Sequence, residues 1–211
     1  MKPYSYHWPF TRAYAGTLDL YGLGAVPLAD AQDRLLVGLP HYWDGGAGAY
    51  YSYVGSGDKF YDDNAWTGFN LLRANRLTGD SGVLERAKAV FKFIDAGWDS
   101  ARNHPAPGGV FWVQATWNRD RNTVSNAPSA ELGLRLYQST TRTITDQKTY
   151  LTPATNMLQL GRPLPALGRQ QRHDGRALLG PHQPQRRYRE DPVELQPGHD
   201  DRSRRAALPD L

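Results

Sequence analysis

Apolar side chains recur every three or four positions along much of the chain, which is typical of amphipathic helices. The clearest pattern covers residues 83–96. Its apolar face consists of Leu84, Ala87, Val90, Phe91 and Ile94. The same periodicity predicts helices over residues 11–21, 26–38, 64–77 and 126–137, with another beginning near Tyr150. No segment of note alternates with the period of a strand, so the pattern predicts an all-α fold.

Turn residues predict how these helices connect. Between the third and fourth predicted helices, Gly79 can adopt the left-handed C-terminal position, and Asp80 or Ser81 can cap the next helix. Other connections are long and rich in Gly, Tyr and Trp, over residues 41–57 and 100–125. Helix pairs joined by short turns on one side and long loops on the other indicate stacked hairpins. Closed into a ring, such hairpins form an (α/α) barrel whose long loops share one face.

Composition narrows the function classes. The length of 211 residues fits one domain, and the absence of Cys excludes disulfides and thiol chemistry. No apolar run approaches the ~20 residues of a membrane-spanning helix, and residues 1–10 contain no signal-peptide core. His7, His41 and His104 show no metal-ligand spacing, so no metal site is predicted.

Two adjacent carboxylates, Asp62 and Asp63, lie where the third helix should begin. Neighbouring carboxylates repel each other, although one can cap a helix and the other can favour the positive end of its dipole. Tyr61 and Trp66 bracket the pair, and aromatic rings commonly form the walls of sugar sites. Asn64 adds a polar group. A carboxylate pair among aromatic residues is typical of the catalytic sites of glycoside hydrolases.

Four further residues are candidate substrate ligands. Trp43 and Asp44 lie in the first long loop, where they either line a sugar cleft or form a buried Trp with a capping Asp. Trp112 in the second long loop is a candidate sugar platform. Asn126 can bind a sugar hydroxyl or act as the N-cap of its helix.

Several short segments together resemble glycoside hydrolase family 76, the endo-α-1,6-mannanases. They are residues 60–66, 77–80, 96–99, 108–112 and 124–126. The resemblance covers roughly residues 6–156. It implies an (α/α)6 barrel, an exported monomeric enzyme without metal or other cofactor, and α-mannan or mannooligosaccharides as substrate.

The resemblance also implies residue roles. Asp62 would be the nucleophile and Asp63 the acid/base of a retaining mechanism. Thr67 departs from the family, which often has a second bulky aromatic residue there, and this change would alter one sugar contact or none. A barrel of six hairpins needs more helices than 157 residues supply. The chain is therefore either an active hydrolase or a truncated, inactive remnant that at most binds carbohydrate. A third interpretation, another (α/α) barrel enzyme such as an epimerase or an unsaturated-uronide hydrolase, is disfavoured by the Asp pair.

The last quarter of the chain differs in kind. Residues 158–211 contain no Trp or Phe, a single Tyr, ten Arg and seven Pro, which predicts a disordered tail after a domain of residues 1–157. Read with the coding frame shifted by one base, residues 176–203 can give a string similar to a late motif of the same family. We therefore expect an out-of-frame translation from about residue 158. A nucleic-acid-binding arm is disfavoured because acids and prolines interrupt the arginines.

Overall fold

The predicted helical pattern forms seven α-helices in the part of the chain that the structure describes. The computed structural model describes residues 4–101, 103–104 and 108–159. The helices are α1 (His7–Gly22), α2 (Leu28–Asp33), α3 (Tyr61–Thr78), α4 (Ser81–Ala96), α5 (Thr123–Gln138), α6 (Ile144–Asp146) and α7 (Thr152–Gln159). One π-helical turn (Arg34–Gly38) and one 3-10 turn (Leu39–Tyr42) extend α2, and a second π-helical turn (Gln147–Leu151) joins α6 to α7. Strands β1 (Trp43–Asp44) and β2 (Ala49–Tyr50) form a small antiparallel hairpin.

Helix contacts define three neighbouring hairpins. Helix α1 packs on α2, α3 packs on α4, and α5 packs on α7, while α3 also contacts both α1 and α5. Helices α1, α3 and α5 therefore lie side by side, and each packs on a partner helix. This arrangement confirms the predicted all-α, barrel-type fold, present as three hairpins among the described residues.

The turn between α3 and α4 has the predicted chemistry. Gly79 has a φ of 72° and donates its N–H to Asn75 O at 2.7 Å. Asp80 is the N-cap of α4, and its Oδ1 accepts the Gly82 N–H at 2.8 Å. A residue with a Cβ would be strained at the left-handed position, so glycine at this point allows the tight reversal of the chain.

The first two predicted helices differ from the observed ones. Helix α1 begins at His7 instead of Thr11, because Pro9 lies in the first turn, where its missing N–H costs nothing. The predicted helix over residues 26–38 is broken into α2 and two irregular turns. Pro27 is the N-cap of α2, and Phe10 lies so close to Gly38 that an added Cβ would approach its ring within 2.6 Å.

Helices α1 and α3 share a buried polar layer. Thr67 donates to Asp63 O at 2.9 Å, and its hydroxyl oxygen lies 3.1 Å from His7 Nε2 and 3.0 Å from Thr11 Oγ1. Asn70 donates to Thr11 O at 2.9 Å. Burial lowers the pKa of His7 to about 3, so its imidazole is neutral. Thr67 is completely buried and joins two helices, which favours the alternative in which this departure alters no sugar contact.

The end of the described region adjoins the predicted tail. Helix α7 continues to Gln159, two residues beyond the predicted domain boundary at residue 157. The rest of the tail, and with it the predicted frame shift, lies outside the described residues. Within the described region, no helix is both long and apolar enough to cross a membrane.

Candidate active site

The acidic pair occupies the first turn of α3. Phe60 is the N-cap residue, and Asp62 and Asp63 follow as the second and third residues of the helix. The structure therefore contradicts the interpretation that one Asp is the N-cap. Because the N-terminal N–H groups of a helix carry partial positive charge, the position still favours negative side chains.

The second long loop places Trp112 beside the pair. Val113 forms an isolated β-bridge with Phe60, the Tyr61 N–H donates to Trp112 O at 2.9 Å, and the Gln114 N–H donates to Lys59 O at 2.9 Å. The loop is thus hydrogen-bonded to the segment that enters α3. The Trp112 indole N–H then donates to Asp62 Oδ2 at 3.3 Å. Trp112 is thus a predicted substrate ligand whose side chain contacts the acidic pair directly.

The two carboxyl groups have unequal surroundings. Burial raises the pKa of Asp62, opposed by N–H groups of the first helical turn and by the Trp112 indole. Burial and the neighbouring charge of Asp62 raise the pKa of Asp63 to about 7. Oδ1 of Asp62 is buried and accepts no hydrogen bond from the described residues. Near neutral pH the pair can therefore hold one charge and one proton, as a nucleophile and an acid require.

Replacing Asp63 by Asn should stabilise the protein at high pH. A raised pKa in the folded state does not lower the free energy of unfolding below pH ~4, where Asp63 is protonated in the folded and unfolded states. It lowers it most above pH 7, where Asp63 is ionised in both states. We expect Asp63→Asn to raise the free energy of unfolding by about 2 kcal/mol at pH 8. This is half of the full conversion of the pKa shift, because the side chain is partly solvated. Urea unfolding at pH 4 and pH 8 measures the effect, and a gain that is equal at both pH values would contradict it.

Asn64 and Asn126 hold the backbones of the two long loops. Each is the fourth residue of its helix. The Asn64 amide accepts the Tyr50 N–H at 2.7 Å and donates to Tyr50 O at 3.1 Å. The Asn126 amide does the same with Val110, at 2.8 and 3.1 Å. Each amide also donates to the carbonyl four residues earlier, Phe60 O at 2.8 Å and Asn122 O at 2.9 Å.

These hydrogen bonds bear on two predictions. Both Asn side chains are buried, and their amides bond to backbone groups, so the structure favours a role in supporting the loops over the expected sugar contacts of Asn64 and Asn126. The N-cap of α5 is Asn122, whose Oδ1 accepts the Ser125 N–H, and not Asn126. The repeated dipeptides Asn64-Ala65 and Asn126-Ala127 are the sequence signal that could have indicated this shared role.

Tyr61 also differs from its predicted role. Its ring stacks on Phe93 with centroids 4.7 Å apart, and it fills the space that a Cβ on Gly97 would occupy. Only 5% of Tyr61 is exposed. The ring therefore belongs to the interface between α3 and α4 and does not form a wall beside the carboxylates.

Trp66 lies one helical turn beyond Asp62, on the same side of α3. The Arg12 guanidinium lies over the Trp66 ring at 5.1 Å and over the Trp8 ring at 5.3 Å, which are cation–π distances. Trp8 and Arg12 were not predicted as neighbours of the site. Their placement depends on how α1 packs against α3, and no local sequence pattern encodes that packing.

Trp43 and Asp44 belong to the β-hairpin. Asp44 Oδ1 accepts the N–H groups of Gly46 at 3.0 Å and Ala47 at 3.1 Å, and Oδ2 pairs with Lys59 at 3.0 Å. The hydrogen bond from Lys59 is the main reason why the pKa of Asp44 falls to about 2. Trp43 is partly buried against Tyr50. These contacts favour the alternative of a packed Trp with a turn-capping Asp.

Among the described residues, no group of three or more His, Asp or Glu side chains has an arrangement that could hold a metal ion. His104 contacts Asp99 through Nδ1 at 2.7 Å, and Arg121 also pairs with Asp99. These contacts tie the start of the second long loop to its end.

Comparisons with known proteins agree with the fold. The family model described as glycosyl hydrolase family 76 matches residues 2–169. A solved family 76 α-mannanase from Bacteroides thetaiotaomicron is 23% identical with a TM-score of 0.58, covering 74% of this chain and 43% of that one. A family 76 glycoside hydrolase from a bovine strain of the same species is 28% identical with a TM-score of 0.54, covering 75% and 33%.

A third similar structure carries information about a ligand. It is an inactive α-1,6-mannanase variant from Salegentibacter sp. HEL1_6, with Asn at two consecutive Asp positions, in complex with α-1,6-mannotriose. It is 20% identical with a TM-score of 0.53, covering 74% of this chain and 41% of that one. The chain thus spans less than half the length of these three structures. No curated protein matches the chain.

Proposed function

Because the chain belongs to glycoside hydrolase family 76, we propose that it hydrolyses α-1,6-mannosidic linkages within mannan, with Asp62 and Asp63 as the reacting groups. The observation that carries the proposal is the unequal pair of carboxyl groups in the first turn of α3. The inactive relative bound to α-1,6-mannotriose, in which two consecutive Asp are replaced by Asn, supports both the substrate class and the pair.

The surroundings of each carboxyl group support distinct roles. Asp62 accepts the Trp112 N–H, which favours its charged form and suits a nucleophile. No such donor contacts Asp63 among the described residues, and its pKa of about 7 keeps a proton available. Asp62 is thus the proposed nucleophile and Asp63 the proposed acid/base.

The proposed reaction has two steps. In the first, Asp63 gives its proton to the glycosidic oxygen while Asp62 attacks the anomeric carbon, so that the leaving sugar departs and a mannosyl ester forms on Asp62. In the second, the Asp63 carboxylate takes a proton from water while the water oxygen attacks the anomeric carbon, and Asp62 leaves as a carboxylate. Both carboxyl groups return to their starting states, and the configuration at the anomeric carbon is retained.

A second candidate function is mannan binding without turnover. It is favoured by the three hairpins of the described region and by coverage of 33–43% of the similar structures. In this candidate, the site residues present on α3 contact the sugar, but the part of the cleft that completes catalysis is not supplied by this chain.

One experiment separates the two functions. The purified chain is incubated with linear α-1,6-mannan while new reducing ends are measured, and its binding of α-1,6-mannotriose is measured by calorimetry. We expect release of internal fragments, which a double variant, Asp62→Asn with Asp63→Asn, should abolish while keeping most of the binding. Binding without reducing ends would establish the second candidate, and neither signal would contradict both.

A further inference from the structure

The buried amides of Asn64 and Asn126, here called the two Asn clamps, hold different loops. Of these two loops, the one held by Asn126 contacts the acidic pair. Asn64 holds Tyr50 of the β-hairpin. Asn126 holds Val110, and two residues further along the chain Trp112 donates its indole N–H to Asp62. The equivalent position in two helices thus supports a purely structural contact in one case and a contact to the candidate site in the other.

The segment of residues 110–113 is fixed at both ends. At its start, Val110 is bracketed by the Asn126 amide and forms a β-bridge with Trp98. At its end, Val113 pairs with Phe60. Trp112 lies between these anchors, and its backbone N–H donates to Asp120 O at 2.7 Å. The orientation of the indole therefore depends on both anchors.

We infer that Asn126 is a positioning residue for Asp62, which acts by holding residues 110–113 so that the Trp112 indole N–H meets the Asp62 carboxylate. The catalytic meaning of this contact rests on the proposed function. The geometry of the contact does not, because every hydrogen bond in it lies within the described residues.

The free-energy cost of losing the Asn126 amide explains why its removal would displace Trp112. Val110 is completely buried, so removal of the Asn126 amide leaves a buried N–H and a buried carbonyl without their partner. Such groups are costly, and the segment is expected to move until they find other partners. The hydrogen bond from Trp112 to Asp62 is already long at 3.3 Å. A displacement of a few tenths of an ångström would therefore break it.

The test uses the indole N–H resonances of the ¹⁵N-labelled chain, which has six Trp. The Trp112 resonance is assigned by its disappearance in Trp112→Phe, and Asp62→Asn identifies the part of its pH-dependent shift that comes from Asp62. In Asn126→Ala we expect the Trp112 resonance to lose this pH-dependent shift. If Asn126→Ala keeps the shift of the unmodified chain, the inference is overturned.

Asn64→Ala is the matched control, because Asn64 makes the same three kinds of hydrogen bond from the same helix position. It should lower the melting temperature in a comparable way and leave the Trp112 titration intact. Loss of the titration in Asn64→Ala as well would show a general structural effect and would also overturn the inference. If Asn126→Ala does not fold, Asn126→Ser is read in the same way, with the same outcomes.

Catalytic measurements distinguish this inference from the proposed function. If the chain hydrolyses mannan, Asn126→Ala and Trp112→Phe should both shift the acidic limb of the pH profile of kcat to higher pH, and Asn64→Ala should not. An intact chain that shows the expected resonances but no turnover contradicts the proposed function alone. Turnover with an unchanged Trp112 resonance in Asn126→Ala contradicts the positioning role alone.

Discussion

Asp62→Asn should abolish mannan hydrolysis, and no choice of leaving group should restore it. Without a carboxylate at residue 62 there is no group to attack the anomeric carbon, so neither step of the proposed reaction can occur. Asp63→Asn should slow hydrolysis of the polymer by ~10²–10⁴-fold, the usual contribution of a general acid. With an aryl mannoside whose leaving group needs no proton, Asp63→Asn should recover its first step, visible as a burst of released phenol.

The pH dependence of the same reaction follows from the pair. Asp63 must carry a proton, and its pKa is raised to about 7, so activity should fall as pH rises through neutrality. For the turnover of Asp62→Asn and Asp63→Asn, Asp95→Asn is a suitable control, because Asp95 lies in α4 and burial also raises its pKa. It should keep near-normal turnover. If either Asp62→Asn or Asp63→Asn keeps near-normal turnover on mannan, the assigned roles are wrong.

The local features of the fold could be predicted because their causes are local. The left-handed Gly79, the capping Asp80 and the apolar face of α4 each depend on residues within a few positions. The location of the acidic pair in the first turn of α3 could be predicted in the same way. The predicted start of this helix at residue 64 was a few residues too late, which is a common error at helix ends, and the alternative of an Asp N-cap failed for the same reason.

The contacts made by the site residues could not be predicted, because they link positions that are distant in sequence. The Asn64 amide reaches Tyr50, 14 residues earlier, and the Asn126 amide reaches Val110, 16 residues earlier. From the sequence alone, Asn64 beside the acidic pair could equally bind a sugar or support the backbone of a loop. Only the course of the long loops decides between these roles, and residues rich in Gly and Tyr do not encode that course by periodicity.

Replacing Gly133 by Leu should unfold the chain or nearly so. Gly133 lies in α5 at the point where α4 and α7 both approach. A Cβ there would lie 2.6 Å from Phe91 Cζ and 2.9 Å from Ala154 Cβ. Phe91 and Ala154 are buried, so neither can move aside into solvent. Overpacking of this kind costs about 3 kcal/mol or more, which is a large part of the stability of a small domain.

Gly16→Leu is the matched control for this prediction, since it makes the same change in the middle of another helix. No atom lies within 4 Å of a Cβ built at Gly16, and its backbone is helical. The gain in helix propensity, about 0.5–1 kcal/mol, should therefore leave the protein as stable as before or slightly more so. Thermal unfolding followed by circular dichroism compares the two variants. Equal melting temperatures would show that α5 does not pack against α4 and α7 as closely as the structure places them.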